Sequence, residues 1–168
     1  MGKHDGESSV EILTRELFSK LKSCFGRTFT YMRILGRSDR VDLPKLGLYD
    51  VPAKVDTGAF NCSIHCTNVT VVNGCLEFNL LGSEHNGSKF VFKKFKQKQI
   101  RNSSGESELR YVIKTQIKIF ERLIRAEFSL SNRGNLRFPV LLGRKILRDR
   151  FLIDITKKDL YYNSKKET

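Results

Sequence analysis

Tryptophan is absent from the chain, and proline, histidine and cysteine are scarce, with 3, 3 and 4 copies in 168 residues. Any aromatic surface must therefore come from phenylalanine and tyrosine. So few soft ligands leave little material for a metal site. The one close cluster is Cys62-Ser63-Ile64-His65-Cys66. Structural zinc usually needs a second ligand pair at matching spacing, and Cys75 and His85 follow no such spacing. The expectation is a strand that sends alternate residues into the core, with Cys24, Cys62, Cys66 and Cys75 reduced. There is no His-Glu-x-x-His for catalytic zinc and no Gly-x-x-x-x-Gly-Lys-[Ser/Thr] loop for ATP phosphates, so no cofactor is expected. No apolar run approaches the roughly 20 residues of a membrane span. The first residues, Met1-Gly2-Lys3-His4-Asp5-Gly6, lack the apolar stretch of a signal peptide, and Gly6 stands where a myristoylation signal needs Ser or Thr. The expected location is the cytoplasm.

Acidic residues are also in short supply, 18 against 31 Lys and Arg, for a net charge of +13. Such an excess implies an anionic partner, whether an acidic protein segment, nucleic acid or an anionic surface. The 39% of hydrophobic and 29% of charged residues mark a globular chain, and its length suits one domain.

Along the chain, Ser8 to Cys24 reads as a helix. Ser8 and Glu11 have capping-box spacing, and Val10, Leu13, Leu17 and Leu21 recur at helical intervals. After Gly26 the pattern is one of short strands: Phe29 to Leu35, Ala53 to Asp56, Ile64 to Val72, Cys75 to Leu81, Lys89 to Phe95, Tyr111 to Phe120 and Leu123 to Leu130. Asn73-Gly74 is a two-residue hairpin signal. From Lys89 to Arg101, phenylalanines interleave with lysines, which fits the solvated face of a defended edge strand better than a nucleic-acid surface. Asn102 to Ser107 is polar and reads as a hairpin tip or loop. Gly143 to Arg150 suits a short helix, Phe151 to Ile155 a strand and Leu160 to Tyr162 a shorter strand, with a frayed tail from Asn163 to Thr168. These patterns divide the chain into a helical extension over residues 1–26 and a mainly β domain over 27–168.

The most informative segment is Ala53-Lys54-Val55-Asp56-Thr57-Gly58-Ala59. A short apolar strand ends in a carboxylate that a turn can expose. Thr57 can bond to backbone groups, and Gly58 allows a tight turn and close backbone approach. Asp-Thr-Gly alone is a weak triplet and equally suits an ordinary turn. A second motif lies far downstream, Phe138-Pro139-Val140-Leu141-Leu142-Gly143-Arg144-Lys145-Ile146-Leu147.

Together the two motifs resemble the retropepsins, in which a catalytic Asp-Thr-Gly loop is followed by a hydrophobic-hydrophobic-Gly segment and a short helix. Leu43-Pro44-Lys45-Leu46-Gly47, His65-Cys66, Ser104-Gly105-Glu106, Glu108-Leu109-Arg110, Ser131-Asn132-Arg133 and Arg150 to Asp154 narrow the resemblance. It looks like the bacterial and archaeal retropepsin-like family labelled ATP-dependent zinc proteases, and it covers Tyr31 to Tyr162. The resemblance implies a closed β-barrel of the acid-protease fold, with the later motif threaded beside the catalytic loop. It implies catalysis by Asp56, Thr57 and Gly58. Substrate contacts would come from Ala59, Ser103, Ser104, Gly105, Arg110, Leu142 and Gly143, with Arg133 structural or substrate-positioning. Relatives of this family are also associated with ATP-grasp ligases that append acidic residues to proteins. The ATP and zinc of the family label find no residues here.

Aspartic peptidases use two carboxylates that share one proton, because charges roughly 3 Å apart cannot both ionise easily. The chain holds one Asp-Thr-Gly, and Asp154-Ile155-Thr156 lacks the glycine. A two-fold axis that brings Asp56 against its copy supplies the pair, so a homodimer acting on a peptide or protein substrate is expected. The alternatives are a weakly catalytic binding module of the same fold and a basic nucleic-acid-binding β-domain.

Overall fold

Residues with alternating exposure between Ile113 and Ile119 illustrate how this chain builds its sheet. Ile113, Thr115, Ile117 and Ile119 are buried while Lys114 and Lys118 between them are exposed. That two-residue period places one face on the core and the other in water. The computed structural model describes residues 32–80, 89–101, 105, 107–134 and 136–167. The helix expected over Ser8 to Cys24 lies outside them.

The described strands are β1 (Arg33–Gly36), β2 (Ser38–Leu43), β3 (Leu48–Val55), β4 (Cys62–Val72), β5 (Cys75–Leu80), β6 (Lys89–Phe92), β7 (Phe95–Arg101), β8 (Ser107–Ile119), β9 (Arg122–Ser131), β10 (Val140–Leu142) and β11 (Phe151–Asp154). Two short helices, α1 (Arg144–Leu147) and α2 (Leu160–Ser164), complete the set, with a 3-10 turn over Pro44–Leu46. Six strands pair in the cyclic order β10, β3, β2, β8, β9, β4, and β4 pairs back to β10. The result is the closed barrel that the resemblance implied. Closure hides strand edges and encloses Val41, Ala53, Ile64, Ile117, Phe128 and Leu142, all fully buried.

Besides β7, which pairs along β8, two appendages extend from the barrel. The outer half of β4 turns away at Asn68, which has a φ of 53°, and pairs with β5, which pairs in turn with β6. Asn73 and Gly74 both have positive φ, so the expected hairpin turn joins β4 to β5. Phe78 stacks on Phe90 and Phe92, with ring centroids 6.1 and 5.6 Å away, and Phe95 packs edge-on against Tyr111. These rings are occupied with each other rather than displayed as a stacking platform. The second appendage is a parallel pair, β1 with β11, which leaves Ile34 and Leu152 exposed.

Three expectations need correction. Lys89 to Phe95 is not one strand: β6 pairs with β5 and β7 with β8, and the chain changes partners at Lys93 and Lys94. Leu160 to Tyr162 is helical, in α2. The tail from Asn163 is not frayed, because α2 runs through Ser164 and Lys165 is paired with Asp42 and Asp50. The cause is a buried carboxylate from a remote strand. Asp39 of β2 accepts the backbone N–H groups of Tyr161 and Tyr162 at 2.8 and 3.0 Å, satisfying amides that open the helix. The Tyr161 ring is buried against Phe120, and its hydroxyl donates to Asp42 at 2.6 Å.

Candidate active site

β3 lies between β2 and β10 and delivers Asp56 to the end of the barrel. β10 runs parallel to it, with Leu141 opposite Lys54 and Leu142 opposite Val55. This is the threading that the resemblance implied. The Asp56 backbone N–H donates to the Leu142 carbonyl at 3.0 Å. Its carboxylate Oδ1 accepts the N–H groups of Gly58 and Ala59 at 3.0 and 3.1 Å, which turns the chain sharply back under the acid. Gly58 does not have a left-handed φ; a Cβ there would sit 3.2 Å from the Asp56 oxygen. The glycine therefore gives room to the carboxylate.

The opposite side of this loop rests on α1. The Arg144 and Lys145 N–H groups donate to the carbonyls of Ala59 and Phe60 at 2.9 and 3.2 Å. Arg144 Nη1 donates to the carbonyls of Thr57 and Gly58 at 2.9 and 2.7 Å. The loop is thus clamped by its carbonyls, whereas the sequence suggested the Thr57 hydroxyl. At Gly143 the two segments touch, since a Cβ would meet the Asn61 carbonyl oxygen at 2.4 Å.

Beside the loop lies a cleft of about 720 Å³. Its walls include Asp56, Gly58, Ala59, Phe60, Asn61 and Ser63, with Leu141 of β10, Gln99, Ile100 and Arg101 of β7, Arg110 of β8, Arg133 and Arg144. Of the expected site residues, Asp56, Gly58, Ala59 and Arg110 line this cleft. Thr57 is exposed beside it. Leu142 is fully buried and reaches the loop only through its carbonyl, and Gly143 is buried behind the loop. Gly105 is exposed, with a φ of 85°, in the connection between β7 and β8, which stay paired as far as Arg101 and Ser107. Ser103 and Ser104 lie outside the described residues. Sequence reasoning missed the clamp by Arg144 and the lining by Asn61, Ser63 and Gln99. Arg144 follows the Leu-Leu-Gly motif directly, and that position was its signal.

The cleft carries four guanidinium groups and one carboxylate among its described walls. Arg110 is compensated, since its Nε and Nη2 both reach Glu108 at 2.7 and 2.6 Å. Arg133 is half-buried, and its side chain donates to the Phe138 carbonyl at 3.3 Å and the Ser63 hydroxyl at 3.2 Å. Burial, and then the Arg110 charge, lower the Arg133 pKa from its ordinary value, with Asp56 acting the other way. Lys98 pairs with Glu127 at 2.7 Å and holds that carboxyl below its usual value.

The cysteine and histidine cluster serves packing. Burial pushes the Cys62 and Cys66 thiols up to about 11, so at neutral pH both stay protonated. Cys62 Sγ accepts the Gly143 N–H, and His65 Nδ1 accepts the Arg133 N–H at 2.7 Å. Among the described residues no three His, Cys, Asp or Glu side chains converge on a metal position. Asp154 accepts the amide and hydroxyl of Thr156 at the end of β11 and is not among the cleft-lining residues. Among the described residues no helix is long and apolar enough to cross a membrane.

Comparison with known proteins agrees with this architecture. The chain is similar to proteins named probable alpha-L-glutamate ligase: 33% identical over 129 residues in Desulfotalea psychrophila and 31% over 128 residues in Parasynechococcus marenigrum. These matches cover 73% and 72% of this chain, but the chain spans only 28% of the length of either relative. A crystal structure of a Legionella pneumophila protein of unknown function superposes with a TM-score of 0.59 at 23% identity, covering 77% of this chain and 98% of that one, and so shares the fold. The family described as retropepsin-like aspartic endopeptidase RimB matches residues 34–164, and the chain belongs to this RimB-like family.

Proposed function

We infer that the protein is an aspartic endopeptidase built from two copies of this chain, each lending Asp56, and that it acts on acidic peptides or protein segments. The observation that carries this reading is the Asp56 carboxylate, held by two amides of its own turn at the wall of an open cleft. One carboxylate can take a proton from water, but a second, protonated one is needed to polarise the scissile carbonyl. The second would come from the partner, with the exposed Thr57 of each copy bracing the pair. The exposed Ile34 and Leu152 on the β1–β11 pair suit burial in such an assembly. In the reaction, the water oxygen bonds to the carbonyl carbon and one proton passes to a carboxylate. The carbon–nitrogen bond then breaks, and the amine leaves with a proton returned from the pair.

The four arginines around one aspartate favour an anionic substrate over a neutral one. The relatives named as glutamate ligases fit the same direction, since glutamate addition produces carboxylate-rich segments. They also support a second reading, a module that holds acidic segments with little hydrolysis. A peptide-library digest by the wild type and Asp56→Asn, at acidic and neutral pH, separates the two. Cleavage that Asp56→Asn abolishes while the fold persists supports the peptidase. Cleavage that persists in Asp56→Asn places the chemistry elsewhere. A structure in which the two Asp56 carboxylates stay far apart in every assembly overturns the paired mechanism.

A further inference from the structure

Among the charges around the cleft, most are either paired with a carboxylate or exposed to water. Arg110 is compensated by Glu108 and Lys98 by Glu127, while Arg101 and Arg144 are exposed and solvated by water, Arg144 also donating to the carbonyls of Thr57 and Gly58. Arg133 differs. Its guanidinium is half-buried, yet its side-chain hydrogen bonds run to neutral acceptors, the Phe138 carbonyl and the Ser63 hydroxyl. Among the described residues it has no ion pair. It is also fixed in place, because its own backbone N–H is held by the buried His65. A partly desolvated cation with neutral partners is costly unless an anion arrives to complete it. A planar guanidinium anchored on one side and open to a cleft on the other suits a carboxylate.

We propose that Arg133 is the specificity-determining residue of the cleft, where its guanidinium receives a carboxylate of the bound peptide. This rests on the reading of the cleft as a peptide site. The competing role for Arg133 is counter-charge to Asp56. That role is partial, since Oδ1 of Asp56 is already committed to two backbone amides and the paired mechanism places a shared proton there. The carboxylate can belong to an acidic side chain or to the end of the peptide chain, and both present the same chemistry. Contact recognition also differs from steering by the +13 net charge, because steering fades as the Debye length falls from about 10 Å at 0.1 M salt to about 3 Å at 1 M.

The test compares four peptides that differ only in an internal Glu or Gln and in a free or amidated C-terminus. Binding is measured to Asp56→Asn protein, with Arg133 intact or changed to Gln or Lys, at low and high salt. Cleavage of the same peptides is measured with Asp56 intact. With Arg133 present, one carboxylate should tighten binding about tenfold or more, the scale of a charge-assisted hydrogen bond, and part of that gain should survive 1 M salt. Arg133→Gln should bring the carboxylate and neutral peptides to within about twofold of each other, and Arg133→Lys should keep part of the preference, because a lone ammonium lacks the fork. The Glu/Gln and acid/amide arms tell which carboxylate is read. If Arg133→Gln weakens all four peptides equally, or leaves the preference intact, Arg133 is not the reader. If Arg133→Gln fails to fold, an undiminished preference in Arg133→Lys overturns the proposal. A preference lost with Arg133 while no peptide is ever cleaved leaves the subsite standing and removes the peptidase reading. No binding of any peptide removes both.

Discussion

Tyr161→Phe tests whether the C-terminal helix is locked to the barrel by its buried hydrogen bond. The substitution keeps the ring against Phe120 and deletes only the hydroxyl, which donates to Asp42 at 2.6 Å. Both residues are buried, with 2% and 5% of their surface exposed, so solvent gives little relief to the Asp42 oxygen that loses its donor. A hydrogen bond to a charged group contributes about 1.5–3 kcal/mol. Asp42 keeps the Asp50 amide and Lys165, each at 3.0 Å, which argues for about 2 kcal/mol at pH 7. For a unit of this size that loss lowers the melting temperature by about 7 °C. The pH dependence carries a sign. Burial alone would raise the Asp42 pKa, but the Asp50 amide, the Tyr161 hydroxyl and Lys165 together hold it below its ordinary value. A depressed carboxyl contributes stability above its unfolded pKa, about 3.9, and loses it as pH falls through the folded value. The difference between wild type and variant should therefore be largest at neutral pH and shrink below about pH 4. Asp39, which burial raises, contributes in the opposite sense but is common to both proteins. Urea melts from pH 7 to pH 3 provide the measurement. A difference below about 0.5 kcal/mol at pH 7, or one that does not change with pH, would refute the argument, because a buried charge-assisted bond cannot be that weak.

Gly143→Ala should cost about 2–3 kcal/mol or more and disturb the Asp56 loop, since the new methyl meets the Asn61 and Phe60 carbonyl oxygens at 2.4 and 2.9 Å. Unchanged thermal stability would mean that the two segments separate easily. Arg144→Ala removes two hydrogen bonds at an exposed position, so stability should change by less than about 1 kcal/mol while kcat falls about tenfold, with KM little altered. Steady-state kinetics beside a melting curve checks this, and wild-type kcat would show that the clamp does not position Asp56.

Much of the site is legible because it is local. Asp56, Gly58 and Ala59 are contiguous, and the turn that holds the carboxylate uses amides only two and three residues away. The two-residue burial period of β8 and the Asn73-Gly74 turn are equally local, and both appear as the sequence implies. The Leu-Leu-Gly segment and Asp-Thr-Gly are far apart in the chain, and a family resemblance was needed to place them side by side. Its Arg144 takes a role that residue type alone does not announce, since an exposed arginine is by default a solvated charge.

What sequence could not reach depends on side chains meeting across the fold. Leu160-Tyr161-Tyr162 reads as strand by residue preference, and it becomes helical because Asp39, 122 residues earlier, accepts the Tyr161 amide. Lys165 looks like part of a charged tail until Asp42 and Asp50 of another strand pair hold it. The lysines and arginines read as one undivided positive charge, and tertiary structure alone separates the compensated Arg110 and Lys98 from the neutrally partnered Arg133. Sequence by itself therefore determined most of the strand pattern and the turn at Asp56, because backbone geometry and near neighbours set both. The C-terminal lock and the charge pattern of the cleft were decided by tertiary structure, because electrostatic energy depends on distance in space and on burial, and neither is written in the order of residues.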